Sequence, residues 1–154
     1  MQLAEILAPE GVRVVGSVTS KKRLFQELAE ITSSLTSLRA GDLLDALQER
    51  ESLGPTGVGN GVALPHARVP GLDRVMGVFV RLEKPLAFDA VDRQPVDLVF
   101  ALFAPEDAGV DHLKALALVS RKLRNTTVCN KLRANEDPAT LFAILIEGEA
   151  TQAA

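Results

Sequence analysis

A chain of 154 residues that is 47% hydrophobic and 24% charged has the balance of one soluble globular domain, which at this length buries roughly 68–70% of its unfolded surface. It has no Trp or Tyr to stack nucleic-acid bases, and its net charge of -3 offers no basic excess to a phosphate backbone, so nucleic-acid binding is not expected. One Cys allows no internal disulfide, no basic-then-apolar leader opens the chain and no apolar run is long enough to span a bilayer; the expected location is cytoplasmic, without membrane insertion.

Leu3 to Leu7 is compatible with one helical turn or two, and Val12 to Val15 is a β-branched run. Thr19 or Ser20 can cap the next helix, whose Leu24, Phe25, Leu28, Ile31 and Leu35 recur at three- and four-residue spacing; Lys21-Lys22-Arg23 would be its solvated face. A further helix is predicted from Asp42 to about Leu53, with Leu43, Leu44 and Leu47 on one side and Glu49, Arg50 and Glu51 near its end, where Gly54-Pro55 stops it. Val62-Ala63-Leu64 has the character of a brief buried strand, and after the turn-rich Arg68 to Asp73 a mostly buried strand covers Val75 to Leu82. Phe88 to Val91 and Val96 to Phe103 carry strand signals on either side of Asp92-Arg93-Gln94-Pro95, a predicted hairpin.

Three helices are predicted to follow. The first is capped by Asp111 and turns Leu113, Leu116, Val119, Ser120 and Leu123 inward; the second is capped by Thr126 and buries Cys129 as a packing residue, not a nucleophile. Asp137-Pro138 opens the third through Leu141, Phe142, Leu145 and Ile146, and Gly148 to Ala154 has the composition of a frayed tail. No repeat or linker divides the sequence, so one mixed α/β domain over residues 1–154 is expected, with its core about 3–147.

The most informative segment is Gly61-Val62-Ala63-Leu64-Pro65-His66-Ala67, which sets one of only two histidines behind a proline at the end of an apolar run. Pro65 fixes its own φ and holds Leu64 extended, so the backbone that delivers His66 is stiff. Gly54, Gly57, Gly59 and Gly61 leave little side-chain bulk nearby, so a partner or a phosphoryl group is expected to approach closely. Spacing alone is equally compatible with an incidental histidine on a hairpin rim. Several other chemistries are disfavoured: Val62 replaces the third glycine of a dinucleotide loop, no Gly-Lys-Ser/Thr ends a P-loop, and no Gly-x-Ser-x-Gly elbow occurs. Two His and one Cys without a paired-ligand spacing argue against a metal, and no cofactor is expected.

From Glu51 through Val58-Gly59 to Pro65-His66-Ala67 the chain resembles the phosphohistidine signature of fructose/mannitol-type enzyme IIA domains of the bacterial phosphotransferase system. Similarity extends downstream through Val75 to Val80, Phe88 to Asp92, Gln94 to Leu102 and the His112-Leu113 helix, covering nearly the whole chain, and is greatest to the nitrogen-regulatory branch. The resemblance implies a mixed β-sheet flanked by α-helices and a phosphocarrier, a component of a relay and not a free-standing enzyme. It also implies His66 as phosphoryl acceptor, His112 as a second histidine supporting the phosphoryl group and Arg50 as a contact to its oxygens.

Imidazole suits the role, because at neutral pH it keeps a nitrogen lone pair and its N–P bond stays labile. A hydrogen bond to one ring nitrogen should select the other as nucleophile. His112 lies just after Asp111, at a helix start that favours anions; its alternative is to cap its own helix. Arg50 offers a planar fork of donors; its alternative is an exposed helix arginine paired with Glu49 or one turn back. Arg68 is a weaker candidate. The donor would be a histidine-containing phosphocarrier protein, and the recipients either regulatory target proteins or, in a sugar-uptake role, the cysteine of a fructose- or mannitol-specific IIB domain. No IIB or membrane domain is attached in this sequence, which tilts the expectation toward regulation.

Overall fold

Val96–Pro105 becomes the central strand because a run apolar at nearly every position is satisfied only when both of its faces are covered. The computed structural model describes residues 1–149. In chain order its helices and strands are α1 (Leu3–Ile6), β1 (Leu7–Val15), α2 (Lys21–Leu35), α3 (Ala40–Ser52), β2 (Gly57–Gly59), β3 (Val62–Ala63), β4 (His66–Val69), β5 (Met76–Leu86), β6 (Val96–Pro105), α4 (Val110–Arg124), α5 (Thr126–Arg133) and α6 (Pro138–Leu145).

The strands form one mixed sheet in the order β1-β5-β6-β3-β2, with β4 also on β6. β1 runs parallel to β5, β5 antiparallel to β6, and β3 and β4 both parallel to β6. Period-two alternation sends successive side chains to two helical layers. Ala63, Val78, Val80, Val99 and Phe103 pack with α2 and α3, while Val62, Leu64, Phe79, Leu98 and Phe100 pack with α1 and α4 to α6. The expected mixed sheet flanked by helices is therefore the fold.

β3 and β4 behave as one strand interrupted at Leu64-Pro65. Val62 pairs Leu98 and Ala63 pairs Val99, then His66 pairs Leu102 and Ala67 pairs Phe103, so the register crosses the interruption without a slip. Pro65 has no N–H to give β6 but its carbonyl still accepts from the Leu102 N–H at 2.9 Å, while Leu64 faces the other way and donates its N–H to the Thr56 carbonyl at 2.9 Å. The Leu64 carbonyl therefore points away from β6.

Several expectations are corrected. Phe88 to Val91 is not a strand: Asp89 and Arg93 take φ of 57° and 60°, which a ladder cannot accommodate, and the hairpin joins β5 directly to β6. Phe88 and Ala90 are buried all the same, with the Phe88 ring edge-on to Phe25. Arg68 and Val69, read as turn, continue β4. Gly109 (φ 59°), not Asp111, is the N-cap of α4, and Asn125 caps α5 by accepting from the Val128 N–H. Lys21 does not lie on a solvated face; its ammonium pairs with Glu51 at 2.9 Å and sits 4.4 Å from the centre of the Phe88 ring. The supposed tail is fixed as far as Glu149, whose carboxylate accepts from Leu3 N–H at 2.8 Å and Ala4 N–H at 3.0 Å. Residues 150–154 lie outside the described residues.

Candidate functional site

His66 and His112 approach each other across one edge of the sheet, with ring centroids 5.4 Å apart and planes at 72°. They line a cleft of about 460 Å³ together with Arg50, Arg68, Leu113 and Leu116. α3 supplies its wall on one side of the sheet and α4 on the other; His66, the first residue of β4, lies between them. Thus His66, His112, Arg50 and Arg68, far apart in sequence, share one concave surface.

The backbone at Leu64 determines how His66 is held. Its Nδ1 lies 2.9 Å from the Leu64 carbonyl, which points away from β6. A carbonyl can only accept, so Nδ1 carries the proton and the lone pair resides on Nε2. Burial pushes the His66 pKa down, opposed by the Leu64 hydrogen bond and less strongly by Glu51, and assisted by the Arg50 charge. The ring is therefore neutral at neutral pH, the state with a free electron pair.

His112 lies in the first turn of α4 and is 6% exposed, with no hydrogen-bond partner on Nε2 among the described residues. An unmet buried polar atom is costly unless a ligand satisfies it. Burial first, and then the charges of His66 and Arg68, lower its pKa to about 4. A depressed histidine pKa means the unfolded chain binds the proton more tightly, so stability falls as pH drops below 6.5 and goes on falling until about pH 4. Urea denaturation should show wild type losing about 2 kcal/mol more than His112→Gln between pH 7 and pH 5. Equal losses would contradict the buried neutral state.

Arg50, in the last turn of α3, donates from Nη1 to the Gly54 carbonyl at 3.1 Å and makes no ion pair among the described residues. Neither Glu49 nor a residue one turn back holds it, leaving the rest of its donor fork uncommitted. Arg68 is exposed and donates to the Glu106 carbonyl at 3.0 Å. Two guanidinium groups and two imidazoles suit an anion. No group of three or more His, Cys, Asp or Glu side chains gathers for a metal among the described residues.

Gly57, Gly59 and Gly61 do not clear space for a partner, whereas a Cβ on Gly54 would meet nothing within 4 Å. A Cβ on Gly57 would lie 2.8 Å from Ala90 Cβ, Gly59 has φ of 104°, and a Cβ on Gly61 would collide with the Arg133 guanidinium. Those three allow close packing or left-handed backbone in the loop beside β6, and none of the four glycines lines the cleft. Sequence reasoning also missed that Leu113 faces the cleft, 64% exposed, while His112, Ala115, Val119 and Leu123 form the buried stripe. Both stripes have helical spacing; only the unusual burial of a histidine selects between them.

A family model described as "Phosphoenolpyruvate-dependent sugar phosphotransferase system, EIIA 2" matches residues 5–148. The chain is 44% identical over 153 residues to a nitrogen regulatory protein of Bradyrhizobium diazoefficiens, covering 99% of this chain and 100% of that one. The crystal structure of nitrogen regulatory protein IIA-Ntr from Neisseria meningitidis superposes with a TM-score of 0.85 at 38% identity, covering 92% and 97% of the two chains. IIA mannitol from Escherichia coli shares the fold, with a TM-score of 0.75 at 19% identity over 90% of this chain and 97% of that one.

Proposed function

Because the chain belongs to the EIIA 2 family of the phosphoenolpyruvate-dependent sugar phosphotransferase system, we propose that it is a regulatory phosphocarrier with His66 as its phosphoryl acceptor. The observation that carries this reading is the Leu64 carbonyl on Nδ1, which leaves the lone pair on Nε2 of a neutral ring lining a cationic cleft. The donor is the histidine-containing phosphocarrier protein. As the donor's N–P bond breaks, its electron pair returns to the donor ring while the Nε2 lone pair makes the new N–P bond. Nδ1 keeps its proton, and the positive charge that develops on the ring faces the Leu64 carbonyl. Arg50 and His112 hold the phosphoryl oxygens without forming a bond to phosphorus.

Phosphorylation places about -1.5 to -2 charge in the cleft. Leu53 and Leu113, 82% and 64% exposed at the cleft wall, offer a protein partner apolar contact around that charge. A partner that buries this rim distinguishes the two states strongly, since an unpaired charge in an interface is costly. Similarity to nitrogen regulatory proteins supports regulation as the output. The rival use of the same chemistry is delivery to a IIB cysteine during fructose or mannitol uptake.

A chase separates the two. Protein labelled through the phosphocarrier should return its label to that donor and lose little to purified fructose- and mannitol-type IIB domains. Discharge to a IIB domain as fast as the donor step would replace regulation with sugar uptake.

A further inference from the structure

Glu51 follows Arg50 at the end of α3, yet its carboxylate is not part of the cleft and its side chain is only 8% exposed. Oε2 accepts from Lys21 Nζ and from the Thr56 N–H, both at 2.9 Å, and Oε1 accepts from Thr56 Oγ1 at 2.6 Å. Three donors on one enclosed carboxylate fix both Thr56 and the turn that leads to it. Thr56, 5% exposed, passes that constraint on, because its carbonyl accepts from the Leu64 N–H at 2.9 Å. The Leu64 carbonyl in turn accepts from His66 Nδ1 at 2.9 Å.

This chain of contacts matters because Leu64 faces away from β6, toward β2, and its bond to Thr56 is the one backbone hydrogen bond that holds its N–H. The same turn carries the Gly54 carbonyl that accepts from Arg50 Nη1. One carboxylate thereby anchors the segment that aims both the cation and the imidazole.

We propose that Glu51 is a positioning residue for the transfer, acting through Thr56 and Leu64 to keep the His66 proton on Nδ1 and its lone pair on Nε2. The proposal rests on reading His66 as the acceptor. A merely structural Glu51 would tie α3 to α2 through Lys21 and would leave the His66 tautomer untouched.

Long-range proton–nitrogen NMR of the unphosphorylated protein at neutral pH reads that tautomer directly. With only two histidines in the chain, the spectrum of His112→Gln assigns the signals. Wild type should show His66 protonated on Nδ1. In Glu51→Gln an amide N–H replaces one acceptor facing the Lys21 and Thr56 donors; His66 should become a mixture of tautomers, with labelling slowed about tenfold or more. Thr56→Ser keeps both donors and should match wild type in tautomer and rate. If Glu51→Gln does not fold, Thr56→Val, which removes the hydroxyl contact, is read in the same way and should also give a mixture. A folded Glu51→Gln or Thr56→Val with the wild-type tautomer overturns the proposal. Absence of labelling in wild type would instead remove the phosphocarrier reading and leave the tautomer measurement standing.

Discussion

His66→Ala should fold like the wild type and accept no phosphoryl group from phosphoenolpyruvate and the general phosphotransferase proteins. The imidazole is half-buried at a cleft wall, so its loss opens no cavity in either apolar layer and leaves one hydrogen bond, that to Leu64, unmade. Such a loss costs about 1 kcal/mol, too little to unfold a protein of ordinary stability. The chemical loss is complete, because no neighbour can substitute: His112 is buried in the first turn of α4 and keeps a supporting position. Wild type should take up one phosphoryl group, stable in base and lost in acid as a phosphoramidate is. Circular dichroism and thermal unfolding check the fold, and undiminished labelling of His66→Ala would move the acceptor elsewhere.

Arg50→Ala should slow transfer about tenfold to a hundredfold, because hydrogen bonds to charged groups contribute about 1.5–3 kcal/mol. The guanidinium is held by the Gly54 carbonyl and has no carboxylate partner among the described residues, so its charge is available to the phosphoryl oxygens. Arg50→Lys should recover only part of the rate, since an ammonium is a point donor without the planar fork. Stopped-time labelling with the phosphocarrier protein measures both variants. Wild-type kinetics in Arg50→Ala would reduce Arg50 to a residue that closes the turn after α3.

Much of this arrangement was legible in the residues. The Leu24, Phe25, Leu28, Ile31 stripe of α2, the Ser20 cap, the Gly54-Pro55 stop and the Asp137-Pro138 start are local signals, and the structure has each where expected. Failures came where tertiary contacts decide. Phe88 and Ala90 alternate as a strand would, but Asp89 and Arg93 turn the backbone, and the two apolar side chains are buried from a loop. The α4 sequence carries two overlapping stripes, and choosing between Leu113 and His112 as the inward one requires knowing what lies beneath them.

The site was legible in part for the same reason. Pro65 announced a stiff delivery of His66, whereas the partner of its Nδ1 depended on which way the Leu64 carbonyl faces once the strand is paired with β6. Glu51 stood in the motif as an acidic residue without a task, since its contact with Lys21 arises only after α2 and α3 pack together and those with Thr56 only once the turn after α3 closes. Resemblance named the residues, and the fold brings them to one cleft.

The central claim is that Nε2 of His66, and no other atom, carries the phosphoryl group. Phosphorus and nitrogen NMR of the labelled protein, with mass spectrometry of its peptides under basic conditions, locates that bond directly. The account predicts one phosphoryl group on His66 Nε2, with Nδ1 still protonated. Phosphate on His66 Nδ1 or on His112 would contradict it.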